Sequence, residues 1–301
     1  MEIFVTGASG YLGLAVASAF RRAGHRVSGL ARSAAAAETL MRNEIAPVLG
    51  RLETPERYHE AAARADVIAH VAVDYAADTG AVDAQAVRAL LSAAVEAPQR
   101  KSFLYTSGAW VYGDTGPTPA DEARQLRPAR AVAWRPAVEQ LVLTASHVRG
   151  VVFRPGVVYG GRGGLTGDWF AGAMAGNLRV VGDGTNHWSM VHVDDLAEAY
   201  LRAVEAGVAG ETFNLADEAC ATLGELVRAA SAAAGDGGRG AIVTTSLAEA
   251  SAQLGPLAEA LALDQRLSSQ RARRLLGWRP RHAGFVAEAV TYYAAWRAAR
   301  R

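Results

Sequence analysis

Short apolar runs alternate with longer Ala-rich stretches through the first half of the chain. The runs near Glu2–Thr6, Arg26–Ala31, Ala46–Leu49, Asp66–Val71, Ser102–Thr106 and Gly150–Arg154 have the length and apolar continuity of buried strands. Between them the apolar positions recur at helical spacing, as in Leu12–Ala23 and Val82–Ala97. Strands alternating with helices predict an α/β chain with a doubly wound parallel sheet covered on both faces. After Tyr159 the pattern loosens. Gly160–Gly164 reads as a loop, Asp168–Ala175 as a helix and Leu178–Val181 as a strand. Met190–Val193 reads as a strand leading into a helix over Leu196–Glu205, capped by Asp194 or Asp195. Phe213–Ala216 follows as a strand, Leu223–Ala234 as a helix and Gly235–Gly240 as a flexible surface loop. The pattern divides the chain into a principal domain over residues 1–160, with returns near 186–216, and a smaller interleaved lobe over 161–185 and 217–301.

The first strand runs into Thr6-Gly-Ala-Ser-Gly-Tyr-Leu-Gly13, which opens the first helix. In that context a glycine triad has a mechanism. Gly7 permits the tight turn, Gly10 lets backbone approach a diphosphate, and Gly13 allows close helix–strand contact. The helix N-terminus supplies free N–H donors and a favourable dipole. The expected ligand is a nicotinamide dinucleotide in a Rossmann-type site, with Tyr11 and Leu12 beside it. The second strand ends Leu30-Ala-Arg-Ser33, placing Arg32 and Ser33 where an acidic residue would select NAD. A guanidinium pairs with a ribose 2′-phosphate, so NADPH is preferred, with NADH possible.

Composition narrows the class. Half the residues are hydrophobic, a fifth are charged and the formal charge is +1, so no field points to nucleic acid or an acidic membrane. Cys220 is the only cysteine, excluding a disulfide framework or a Cys-based metal site. No apolar run reaches the roughly 18 residues of a membrane span, and the start lacks a basic region before its apolar stretch. A cytoplasmic protein is expected. Lysine occurs once, at Lys101.

The chain resembles the extended branch of the short-chain dehydrogenase/reductase superfamily over nearly its whole length. Besides the glycine loop, the matching segments are Asp66-Val-Ile-Ala-His-Val-Ala72, Thr106-Ser-Gly-Ala-Trp-Val-Tyr-Gly113 and Arg154-Pro-Gly-Val-Val-Tyr-Gly160. Val191-His-Val-Asp-Asp-Leu-Ala197 and Leu275-Leu-Gly-Trp-Arg-Pro280 complete the set. The resemblance implies cofactor contacts at Leu52, Val71, Ala72, Thr106, Pro155 and Val158. It also implies that the helices Val82–Ala97 and Ala137–Ser146 match those that pair in family dimers, leaving monomer and homodimer both open.

The family's chemistry uses a Tyr-x-x-x-Lys pair and a serine: the tyrosine protonates the developing alkoxide and the lysine lowers its pKa and holds the ribose. Here Ala97 stands four residues before Lys101, so the pair does not occur. Alignment on Glu139 puts Ala131 at the tyrosine and Arg135 at the lysine; counting back from Tyr112 puts Gly108 at the serine. Arg135 can hold the ribose but stays cationic and donates no proton at neutral pH. The remaining candidates for assistance are Ser107 and Tyr112, then Thr106, Asp74 and His187.

Where nucleotide-sugar members carry a diphosphate-binding arginine, the count from His192 gives Trp188. With Asp74, Tyr75, Trp110, Trp134 and Tyr159, and with Met174 nearby, it suggests a cleft for a large aromatic small molecule. The pattern is similar to atypical ketoreductases that tailor aromatic polyketides of the angucyclinone type, and implies NADPH-dependent reduction of a ketone in antibiotic biosynthesis. A phenol next to that ketone would stabilise its own oxyanion. A nucleotide-sugar epimerase or dehydratase, and a non-catalytic NADP(H)-sensing regulator, are the alternatives.

Overall fold

The computed structural model describes residues 1–74, 78–95, 99–217, 219–235 and 242–300. The chain runs β1 (Glu2–Thr6), α1 (Tyr11–Arg22), β2 (Arg26–Ala31), α2 (Ala34–Arg42), β3 (Ala46–Leu49), α3 (His59–Arg64), β4 (Val67–His70), α4 (Thr79–Val95) and β5 (Lys101–Thr106). Then come α5 (Arg135–Thr144), β6 (Val148–Pro155), β7 (Val157–Tyr159), α6 (Leu165–Met174), β8 (Leu178–Val181), β9 (His187–His192), α7 (Val193–Glu205), β10 (Glu211–Leu215) and β11 (Cys220–Thr222). It closes with α8 (Leu223–Ala233), β12 (Ile242–Thr245), α9 (Leu247–Leu254), α10 (Leu257–Ala262), α11 (Gln270–Leu276) and α12 (Phe285–Ala298). Single 3-10 turns cover Pro55–Arg57, Ala109–Tyr112 and Arg130–Val132.

Seven strands form one sheet in the order β10-β6-β5-β4-β1-β2-β3, every pair parallel. Alternation along each strand feeds two cores. Ile3, Val5, Leu104 and Phe153 face a layer containing Val16, Phe20, Leu40, Leu196 and Tyr200 from α1, α2 and α7. Phe4, Phe103, Tyr105 and Val152 face Ala62, Val87, Leu90, Val138 and Val142 from α3, α4 and α5. Each such fully buried large side chain contributes about 1.5–3 kcal/mol of transfer free energy. This is the doubly wound α/β architecture that the strand–helix alternation predicts.

A third cluster joins α6, α8 and α12 through Phe170, Leu226, Phe285 and Trp296. Over it lie a three-stranded sheet, β11-β9-β7, and a parallel pair, β12-β8. β7 follows directly on β6 of the larger sheet, and β9 leads through α7 back into its edge strand β10.

The helix predicted over Leu196–Glu205 begins at Val193 instead, and neither Asp194 nor Asp195 is its cap. Strand β9 runs straight into it, leaving His192 at the N-cap, where Nδ1 accepts the Asp194 N–H at 3.2 Å. Asp195 is buried and accepts the backbone N–H groups of Arg281 and His282 at 3.1 and 3.2 Å. Helix α6 likewise starts three residues before the expected Asp168. The predicted loop Gly235–Gly240 and the last turn of Val82–Ala97 extend outside the described residues.

Candidate active site

The carboxyl ends of β1 to β6 open into a cleft of about 860 Å³, where ligands of open parallel sheets bind. Its floor at one end is the glycine loop. Gly7 adopts φ +68°, and a Cβ there would fall 2.8 Å from Ala72 Cα; one on Gly13 would fall 2.0 Å from Gly7 O. The loop therefore tolerates no side chain at either position. α1 has Gly10 as N-cap and no side-chain cap, so its first-turn N–H groups are left for an anion. Arg162 braces the loop from outside, donating to Ser9 O and Gly10 O at 3.1 and 3.3 Å. Tyr11 lies on the wall, but its hydroxyl donates to Gly160 O at 2.7 Å, and burial with nearby Asp194 pushes its phenol far above the ordinary range. This cradle fits a dinucleotide diphosphate.

At the adjoining end the cleft is lined by Leu30, Arg32, Arg51, Leu52 and Glu53. Arg32 is exposed and makes no hydrogen bond or ion pair among the described residues, leaving its guanidinium open to an added anion. Ser33 is not on the wall: it caps α2, its Oγ accepting the Ala36 N–H at 3.2 Å. Arg51 and Glu53 escaped the sequence reading because the turn after β3 carries no periodic signal.

Val71, Ala72, Asp74, Thr106, Arg135, Pro155 and Val158 all line the same cleft, beside Trp110, Trp134, Ala131 and Gly108. The Arg135 side chain is buried and donates to Thr106 O at 2.6 Å. Thr106 Oγ1 donates to His70 O at 3.0 Å and so accepts the Tyr200 O–H at 2.5 Å. Behind Trp134 lies Asp83 on α4. Burial works against its charge, but hydrogen bonds from His70 and Tyr105 and the nearby Arg135 hold its carboxyl below the usual range. Asp83 was also missed; a buried carboxylate on an Ala-rich helix has no linear motif. Lys101 sits at the opposite end of β5, its Nζ bonded to Ala63 O and Ala65 O at the end of α3. Five residues of strand, roughly 16 Å, separate it from the cleft.

Several expected site residues lie off the cleft wall. Tyr112 is a structural group: its hydroxyl donates to Asn214 Oδ1 at 2.8 Å and accepts from Arg154 at 2.7 Å. Arg154 also grips Glu139 in a buried ion pair. Tyr159 is fully buried against His192, Phe285 and Tyr292, with its hydroxyl on Asp217. Trp188 packs on Trp169 with ring centroids 5.4 Å apart, beside a separate small cavity of about 190 Å³. Strand alternation turns both rings into the third core, a choice of face that one sequence leaves undetermined. His187 is bound to Asp264 and Arg266 away from the cleft. Ser107 does lie on the cleft wall, but its Oγ is covered and has no hydrogen-bond partner among the described residues. Met174 is more than half exposed at the end of α6. Tyr75 falls outside the described residues.

A sequence profile of the NAD dependent epimerase/dehydratase family matches residues 3–216. The chain is 35% identical over 234 residues to a 4-hydroxy-2-methyl-3-oxo-4-farnesyl-3,4-dihydroquinoline-1-oxide ketoreductase of Stigmatella aurantiaca, covering 73% of this chain and 69% of the relative. It is 28% identical over 301 residues to a 3-diazoavenalumate denitrifying reductase of a Streptomyces species, covering 94% and 97%. In fold it is similar to the UDP-glucose 4-epimerase of Thermotoga maritima, with a TM-score of 0.85 at 20% identity over the full length of both chains.

Proposed function

The chain belongs to the NAD dependent epimerase/dehydratase family, and from that premise we propose that it is an NADPH-dependent ketoreductase acting on a polycyclic aromatic metabolite. Family and relatives support an NAD(P)-dependent oxidoreductase or epimerase; the choice between them rests on the residues of the cleft. The observation that carries it is the wall around Ala131 and Gly108. Both positions where the family holds a proton-handling hydroxyl lack one, and both line the cleft. Nearby hydroxyls are committed or covered: Thr106 between Tyr200 and His70 O, Tyr11 on Gly160 O, and Ser107 beneath the surface. Epimerisation and dehydration need a side chain that takes a proton and returns it, and the position where nucleotide-sugar members carry a diphosphate-binding arginine holds the buried Trp188. A hydride step makes a smaller demand.

When bound, a reduced nicotinamide supplies a hydride to a carbonyl carbon, and the product alcohol needs one proton. The glycine loop and α1 would hold the diphosphate, Arg32 the 2′-phosphate, and Arg135 the ribose. Positioning supplies much of the rate. Trp110, Val132, Trp134, Val157, Leu165 and Leu257 give the rest of the cleft apolar walls, fitted to a large flat substrate. A phenol next to the ketone donates a hydrogen bond to the developing oxyanion, doing what Ala131 and Gly108 cannot. The ketoreductase relative that acts on a farnesylated 3-oxo-3,4-dihydroquinoline-1-oxide, a ketone on a benzo-fused ring, supports a bulky substrate with an aromatic part.

The test is NADPH consumption with a panel of polycyclic ketones bearing a neighbouring phenol, beside their methyl ethers. General acid assistance is worth about 10²–10⁴-fold. Methylation is therefore expected to lower kcat by on the order of a hundredfold with KM little changed. Equal kcat for phenol and ether would refute substrate assistance; tight NADPH binding with no turnover on any ketone would favour a sensor.

A further inference from the structure

The indole of Trp134 is held from three sides. Its Nε1–H donates to Asp83 Oδ2 at 3.2 Å. Arg135 Cζ lies 5.5 Å from the ring centroid. On α4, Gly80 makes room: a Cβ there would fall 2.9 Å from Trp134 Cβ and 3.0 Å from its Cγ. The protonation pattern around Asp83 follows from counting donors. Thr6 Oγ1 accepts the Val71 and Ala72 N–H groups at 3.2 and 3.3 Å, so its single proton goes to His70 Nδ1 at 2.8 Å. His70 Nε2 in turn pairs with Asp83 Oδ1 at 3.0 Å. Tyr105 donates to Oδ2 at 2.6 Å. Asp83, 3% exposed, thus faces three side-chain partners among the described residues, His70, Tyr105 and Trp134, and its carboxyl is held below the usual range.

An indole whose N–H feeds a buried carboxylate gains electron density in its π-system, because charge-assisted hydrogen bonds polarise the donor and low dielectric strengthens the effect. The ring lines the cleft beside Trp110, Ala131 and Val132. An electron-rich, immobilised ring attracts the face of an electron-poor conjugated ring, beyond what area burial gives to any apolar group. We propose that Trp134, positioned and polarised by Asp83, is a specificity-determining wall that selects flat, electron-poor conjugated carbonyl compounds of quinone type over saturated ketones of equal size. The proposal deepens the ketoreductase reading and rests on it for the identity of the cleft as a substrate site.

The experiment uses the full chain saturated with NADP⁺, so that no hydride is available, with naphthoquinone and decalone as probes. Affinities come from calorimetry and ring contact from difference absorption. The expected result is a naphthoquinone-to-decalone affinity ratio of roughly ten, accompanied by a long-wavelength charge-transfer band. Trp134→Leu removes the band and brings the ratio to about one. Asp83→Asn keeps the shape but weakens the donor polarisation, moving the band to higher energy and lowering the ratio several-fold; Trp134→Phe, which needs no partner for an N–H, is the companion should Asp83→Asn fail to fold. A wild-type protein with no band and no preference, or a Trp134→Leu protein that keeps both, overturns the proposal. NADPH oxidation is followed separately. A band without turnover would sink the ketoreductase reading and leave the selectivity intact, whereas turnover with a ratio indifferent to Trp134 would sink only the selectivity.

Discussion

At the scale of single residues, the cleft is defined as much by what is missing as by what is present. Ala131, Gly108 and Arg135 all line it, and in the proposed reading they stand where the family keeps two hydroxyls and a lysine. Arg32 stands open at the end of the cleft that would hold the 2′-phosphate in the proposed reading. Replacing it by alanine is expected to weaken NADPH binding roughly tenfold, the lower range for losing a charge-assisted contact, while NADH affinity changes less than about twofold; fluorescence titration of both nucleotides checks this, and equal weakening would remove Arg32 from the 2′-phosphate site. Asp217 gives a second handle. Burial pushes its carboxyl up to about 7, against the hydrogen bond from Tyr159, with Asp195 adding to the rise. In the unfolded chain an aspartate titrates near ~3.9, so between that value and about 7 the folded state holds a proton the unfolded state has released. Stability from this group is therefore full at low pH and falls as pH rises through that window. Asp217→Asn should flatten the slope of Tm against pH there, with the variant gaining on the wild type above neutrality.

Elements explain which parts of the site were legible. The glycine loop could be read because its chemistry is local: strand, turn and helix start lie within a dozen residues. That Arg32 lies on the cleft wall was legible for the same reason, since it follows the second strand of that unit. Tyr159 and Trp188 misled because their side of β7 and β9 depends on sheets assembled from distant segments. β7, β11 and β12 are three or four residues long, too short for a period to show. The N-cap at His192 was hidden because a strand enters the helix without a loop, a junction that composition does not mark. The β1–α1 unit also carries a test. A Cβ at Gly13 meets Gly7 O at 2.0 Å, so Gly13→Ala must push α1 off β1. Overpacking of this kind costs about 1–3 kcal/mol. The expected result is a Tm lower by a few degrees and nucleotide affinity reduced far beyond that modest loss; unchanged affinity would mean that the diphosphate binds elsewhere.

On the scale of the whole molecule, a seven-stranded parallel sheet presents its carboxyl edge to one long cleft, and the third core closes its far end through Leu165. No helix among the described residues is long and apolar enough to cross a membrane. The glycine loop and the Trp134 wall are joined by a continuous run of hydrogen bonds, Thr6 to His70 to Asp83 to the indole, so the two ends of the cleft share one rigid frame. What that frame is for can be asked of a single turnover. Protein loaded with NADPH deuterated at the transferable position is mixed with a phenol-bearing polycyclic ketone, and the product is analysed by mass spectrometry and NMR. One deuterium on the new carbinol carbon for each NADPH consumed is the predicted outcome. Deuterated NADPH that stays tightly bound while every ketone is recovered unreduced would contradict it.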